Sequence, residues 1–242
     1  MEILPTSPYL LLNGAGFIVA LLLFDRRLEE RLPHRRDAAY VLFVLSVVVG
    51  WFGAHVVAWL VGSQSFGRAG FAFYGGLLAA LAVLLATAFG LKVLRGGELQ
   101  AALNAAVVPL VVAHALGRIG CSLTGCCYGL PISGTTFRHP TQVYECVFLL
   151  ALAWTLIHQR KRLGSLPLGE VSAYLLGYPT FRFLVEFLRG DPRGEAFGLS
   201  TSQWISLALV SVACVLFIHQ RQARANNSMQ RPALRAAADA ER

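Results

Sequence analysis

Apolar residues run together along this chain in long uncharged stretches: Ile3–Phe24, Ala38–Gly67, Ala69–Leu91, Leu99–Gly117, Cys146–Gln159 and Ala196–Gln220. Most reach the roughly 20 residues that a helix needs to cross the hydrocarbon layer. Cys146–Gln159 is short alone but extends backwards past Glu145 to Pro140. A seventh stretch, Val171–Leu188, is apolar except for Arg182 and Glu186. The pattern predicts an all-α membrane protein of about seven transmembrane helices. Residues 1–224 read as a single polytopic domain without internal repeats. Residues 225–242 are polar and Ala-rich, and read as a disordered cytoplasmic tail. The first stretch has no positive charge before it and no small-residue cleavage pattern after it, so it is expected to be retained.

Composition sharpens the class. Of 242 residues, 56% are hydrophobic and only 14% charged, with a mean hydropathy of +0.58. A soluble domain carries about a quarter charged residues. That deficit argues against a soluble enzyme or a nucleic-acid reader. The net charge of +8 reports topology instead. Counting gaps between the stretches, the first, third and fifth together with the tail hold fifteen of the twenty-one Lys and Arg, among them Arg26, Arg36, Lys92, Arg160, Lys161 and Arg221. The positive-inside rule then places the N-terminus outside and the C-terminus in the cytoplasm. Attraction to anionic headgroups accounts for the basic excess, and no nucleic acid is required.

Between the stretches, Asp25–Asp37 mixes Arg with Glu around Leu28 and Leu32, and reads as a solvated loop or a short interfacial helix, the loop being preferred. Gly96-Gly97 and Gly164–Pro167 look like plain turns. The longest interruption is Gly117–Pro140, with GRIGCSLTGCCYG and then RHP, on the outward side. Irregular backbone at membrane depth is tolerated only when buried in protein or lining a wet cavity, so an outward-opening cavity is expected.

Ionisable groups inside spans are costly and point to function. Tyr178, Arg182 and Glu186 are spaced i, i+4, i+8 and share one helix face, with Pro179 beside them as a kink. A structural Arg–Glu pair is the plainer alternative. His114 and Arg118 are likewise i, i+4, at the outward end of the fourth helix. An arginine beside a Gly-rich turn suits a phosphate, since its planar fork binds two oxygens and Gly120 exposes a backbone N–H. A snorkelling arginine would look the same. Arg138 lies on the same side. Five cysteines are present. Cys146 and Cys214 read as small core residues. Cys121, Cys126 and Cys127 cluster on the outward loop, where a disulfide from Cys121, a reactive thiol and a soft metal all stay open, although the spacing fits no standard zinc pattern. His55 reads as a satisfied polar core residue. Phe73-Tyr74-Gly75-Gly76 begins the third helix, with glycines for close packing and Tyr74 aimed at the cavity.

Together, FYGG at Phe73–Gly76, GRIG at Gly117–Gly120, HPTQVYE at His139–Glu145 and GYPTFRFLVEFLR at Gly177–Arg189 resemble the prolipoprotein diacylglyceryl transferase family. The resemblance implies a multi-pass protein of the bacterial cytoplasmic (inner) membrane. It implies transfer of the diacylglyceryl unit of phosphatidylglycerol to the thiol of a lipobox-containing prolipoprotein, without cofactor or metal. On that resemblance Arg118 and Arg182 hold the lipid phosphate, Tyr74 stands near the reacting centre, Tyr178 lines the pocket and Glu186 orients Arg182. His139 and Glu145 brace the outer loop, with Gly120 and Arg138 on the substrate side. The general base stays unassigned.

Two departures accompany the resemblance. Where the family continues GRxG with Asn-Phe-x-Asn-x-Glu, this chain has Cys121-Ser122-Leu123-Thr124-Gly125-Cys126, which brings Cys121 and Cys126 into the candidate catalytic set. Where the family inserts a sizeable outward domain before HPxQ, only Leu130–Arg138 is present. A paralogue using the Cys loop for a different thiol or lipid transfer, and a non-catalytic phospholipid-binding or transport protein, are the alternatives.

Overall fold

A computed structural model describes residues 8–61, 76, 79–80, 82–84, 86–87, 93–164, 166–190 and 195–240. Its main helices are α1 (Pro8–Arg31), α2 (Arg36–Val61), α3 (Gly97–Thr124), α4 (Thr141–His158), α6 (Gly169–Glu186) and α7 (Thr201–Ala240). A 3-10 turn (Pro33–Arg35) precedes α2, and a single helical turn, α5 (Arg160–Leu163), precedes α6. The only strands among the described residues are β1 (Glu195–Ala196) and β2 (Leu199–Ser200), an antiparallel pair.

Among the described residues, five helices are long and apolar enough to cross a membrane: Pro8–Arg31, Pro33–Val57, Gly97–Thr124, Thr141–His158 and Thr201–Gln222. They match five of the seven expected stretches. Most of Ala69–Leu91, including Tyr74, lies outside the described residues. Val171–Leu188 does form a helix, α6, but the charges inside it keep it out of the strongly apolar set. Leu11, Ile18, Leu22, Val48, Trp51, Val147, Trp154 and Val215 are all exposed on their helices. Apolar surface on that scale needs an apolar surrounding, as lipid provides.

Two expectations change. Asp25–Asp37 is not a loop: α1 continues to Arg31, because Leu28 is fully buried and Asp25 receives two hydrogen bonds from the Arg36 guanidinium. The interruption after GRIG starts only at Gly125, since α3 runs to Thr124. Residues 225–240 have helical backbone in this structure and are rich in Ala, a strong helix former.

The chain divides into two compact units, residues 1–23 with 106–242, and residues 24–105. Within the smaller unit, Phe24 packs on Phe43 with ring centroids 4.3 Å apart, and the Arg27 Nε donates to the Ala105 carbonyl at 3.0 Å. A Cβ on Gly76 would come within 2.9 Å of the Gly50 carbonyl oxygen, so the last glycine of FYGG serves close helix approach. The larger unit has an aliphatic core of Val107, Val108, Val111, Ala115, Leu149, Ala153 and Leu156, drawn from α3 and α4. Phe148 on α4 stacks on Phe181 of α6 at 4.1 Å. Cys146 is half-buried and packs against this core, as expected, whereas Cys214 is exposed on α7 and does not fill it.

Candidate functional site

Antiparallel helix order within the larger unit brings four helix ends together: the C-terminal ends of α3 and α6 and the N-terminal ends of α4 and α7. The charged residues of the spans meet there. Glu145, one turn into α4, is fully buried. Its carboxylate lies 2.8 Å from the Arg118 Nε, 3.5 Å from the Arg182 Nε and 3.9 Å from the Arg189 Nη1. The Tyr178 hydroxyl donates to it at 3.5 Å. Glu186 pairs with the Arg182 Nη1 at 2.5 Å and the Arg189 Nε at 3.9 Å, and accepts from the Ser200 hydroxyl at 2.8 Å. The Arg182 Nη2 donates to the Ser202 hydroxyl at 3.3 Å.

Arg118, Arg182 and Arg189 bring three positive charges, and Glu145 and Glu186 bring two negative ones, so the cluster keeps one net positive charge. Taking ions out of water costs several kcal/mol each unless they are paired. Pairing here is incomplete in its geometry. The Arg182 Nη1 and the Glu145 Oε2 sit at ion-pair distance without an aligned hydrogen bond among the described residues. A buried, net-positive set of guanidinium groups with hydrogen-bonding capacity in reserve suits a single anionic group such as a phosphodiester.

Around the cluster, the His114 ring stands edge-on to Tyr178 at 4.9 Å and accepts from the Arg118 Nε at 3.3 Å. Tyr178 also stacks on Tyr174. Pro179 is buried inside α6 and cannot donate the helical bond to the Leu175 carbonyl.

The loop from Gly125 to Pro140 is strapped down at its base. Gly129 N–H donates to the His139 carbonyl and His139 N–H to the Leu130 carbonyl, both at 3.0 Å. Leu130 N–H then donates to the Leu188 carbonyl at 2.8 Å, and Gly190 N–H to the Tyr128 carbonyl at 3.1 Å. Only glycine fits at 129, where a Cβ would lie 2.5 Å from the His139 oxygen and 2.7 Å from the Leu188 oxygen. The Thr141 hydroxyl and the Gln142 amide reach back to the Cys127 and Cys126 carbonyls, at 2.8 Å and 2.5 Å. The HPTQ sequence is therefore a clasp that ties α4 to the cysteine loop.

Among the expected site residues, Arg118, Tyr178, Arg182, Glu186 and Glu145 converge. Glu145 stands at the centre of the charge cluster and not on the outer loop, because it lies one turn inside α4, where only ion pairing tolerates a carboxylate. Gly120 does not expose a donor in a turn. It is buried inside α3, where a Cβ would come within 3.1 Å of the Tyr9 Cα, and so it permits α1 to pack closely. Arg138 is exposed, its guanidinium 4.7 Å over the Tyr128 ring, and His139 pairs with the Tyr144 hydroxyl at 3.4 Å. Tyr74 lies outside the described residues. Arg189 was missed, as were Ser200 and Ser202. The signal was present for Arg189: with Arg182 and Glu186 it falls at i, i+4, i+7, one helix face.

Cys121, Cys126 and Cys127 have their sulfurs within 4.8 Å of one another, and no disulfide links them. Cys127 has a left-handed backbone, φ 62°. Its thiol is held well below the usual thiol range, first by a hydrogen bond with Cys121 and then by the Arg189 guanidinium, against the upward push of burial.

The model of the prolipoprotein diacylglyceryl transferase family matches residues 3–219. The chain belongs to that family. It is 32% identical over 229 residues to a phosphatidylglycerol–prolipoprotein diacylglyceryl transferase of Clostridium tetani, covering 84% of this chain and 88% of that protein. A second enzyme of that name, from Clostridium perfringens, is 32% identical over 234 residues, with 84% and 87% covered. A Cupriavidus metallidurans relative of the same name is 32% identical over 248 residues, with 87% of each chain covered. Within the transferase family, then, this chain pairs a buried arginine–glutamate cluster with a thiol-bearing loop.

Proposed function

We propose that this family member transfers the diacylglyceryl group of phosphatidylglycerol to a cysteine thiol of a prolipoprotein. The observation that carries the reading is the buried cluster of Arg118, Arg182 and Arg189 over Glu145 and Glu186, with its one excess positive charge. Phosphatidylglycerol presents one anionic phosphodiester. Attack of the acceptor thiolate on the glyceryl carbon breaks the carbon–oxygen bond to phosphate, and the leaving glycerol phosphate gains a second negative charge. Guanidinium groups aimed at the phosphate stabilise the charge that develops there more than the charge present at the start, and that difference is catalysis. Arg118 and Arg182 are the phosphate clamp, Tyr178 lines the pocket, and Glu145 and Glu186 are positioning residues that hold the guanidinium planes.

On this reading the protein is a multi-pass protein of the bacterial cytoplasmic membrane, with seven spans, the N-terminus outside and the charged end of the helices facing outward. The lysines and arginines counted above support that orientation. The deciding experiment incubates the purified protein with phosphatidylglycerol and a lipobox peptide and reads the intact mass of the peptide. A diacylglyceryl mass shift that disappears in Arg182→Ala supports the reading; an unmodified peptide with phosphatidylglycerol still bound overturns it in favour of a binding protein.

A further inference from the structure

The three thiols beside the arginine cluster have no part in the transfer just described. We propose that Cys121 and Cys127 form a redox-active dithiol that reacts with disulfides, with Cys127 as the attacking sulfur and Cys121 as the resolving one. Proximity comes first: all three sulfurs lie within 4.8 Å of one another, so rotation of side chains brings a pair to bonding distance. Partnering then selects the pair. Cys126 is engaged locally, its sulfur accepting from the Thr124 hydroxyl at 3.4 Å and donating to the Cys121 carbonyl at 3.7 Å. A bond between the adjacent Cys126 and Cys127 would be strained. Cys121 is buried at the end of α3, while Cys127 is half-buried in the loop.

Electrostatics separates this reading from a metal site. The guanidinium groups of Arg189 and Arg118 both act on the Cys127 sulfur. Positive charge favours a thiolate and opposes a second cation in the same place. The backbone adds a constraint. The Cys126 and Cys127 carbonyls are clasped by Gln142 and Thr141, so the attacking sulfur sits on a fixed frame at the start of α4.

The chemistry balances as two exchanges. The Cys127 thiolate attacks one sulfur of the incoming disulfide, forms a mixed disulfide and expels a thiolate that takes up a proton. Cys121 gives up its proton, attacks the Cys127 sulfur and expels the second thiolate. Two protein thiols are oxidised by two electrons in all, and one external disulfide is reduced to two thiols.

The full chain in detergent, reduced and desalted, is titrated with oxidised glutathione, denatured and alkylated with N-ethylmaleimide. Intact mass and peptide mapping are then read. The expected result is the loss of two maleimide adducts together with a linked Cys121–Cys127 peptide, unchanged in Cys126→Ser and absent in Cys127→Ser. In Cys121→Ser, glutathione should remain attached at Cys127. Should a variant fail to fold, the linked peptide of the unmodified chain decides alone. A bridge through Cys126, no adduct loss at any glutathione ratio, or three thiols shielded until a chelator removes bound zinc would each overturn the proposal. Failure of the lipid-transfer assay leaves this readout untouched, because no lipid enters it.

Discussion

The two ends of the α4–α6 pair carry the same residue type under opposite conditions. At one end, Arg182 and Arg189 are buried against Glu145 and Glu186. At the other, Arg160, Lys161 and Arg162 stand exposed on α5, beside an apolar cleft of about 390 Å³ lined by Leu152, Leu156, Leu163, Ala173 and Leu176. The exposed set keeps its hydration, so each of its charges is solvated whether or not it is also paired. The buried set has given up water, and each charge depends on the next. A count of basic residues treats both ends alike, but only burial turns arginine into a binding instrument.

The comparison breaks most sharply at Glu145. Glu145→Ala leaves three arginines around an empty place, and the loss of a buried partner is expected to cost about 3–5 kcal/mol. Thermal unfolding in detergent should show a lower midpoint, with activity abolished. Arg182→Ala comes next: removal of one donor from a charge-stabilising site is expected to lower kcat by about 10²–10³. Arg182→Lys should recover little of that, because an ammonium cannot span both Glu145 and Glu186. Kinetics of the three forms on a lipobox peptide check this, and full activity of the lysine form would sink the bidentate argument. Gly129→Ala forces a Cβ against two carbonyl oxygens and is expected to loosen the loop by roughly 1–3 kcal/mol, seen as faster proteolysis of residues 125–139. Arg162→Ala, at the exposed end, should change stability by less than about 0.5 kcal/mol. A larger effect there would erase the distinction between the two ends.

The spans were legible in the sequence because membrane helices announce themselves by uninterrupted apolar length, and α1 through α4 follow that rule wherever the chain is described. Arg118, Tyr178, Arg182 and Glu186 were legible because a charge inside a span needs a reason. Glu145 was legible as a charge in a hydrophobic run and, through HPTQVYE, as a brace of the outer loop, but not as the centre of the cluster. Its central place depends on three helices converging, and no local spacing encodes that. Gly120 misled, since a glycine that opens a turn and one that admits a neighbouring helix read identically. Ser200 and Ser202 were beyond reach, being uncharged hydroxyls just before α7 and in its first turn whose partners lie on another helix.

The straps at the base of the Gly125–Pro140 loop have a practical consequence. Pro131 and Arg138 face each other as a bridge, and beyond them the chain turns through Gly134 and comes straight back. The two legs of the loop therefore leave the base and return to it side by side, like the legs of a socket. An epitope, a fluorophore or a whole folded module spliced in at Gly134 would meet matched, closely spaced ends and hang outside the straps. The protein thus offers a port where cargo can be added without rewiring the charged floor beneath it.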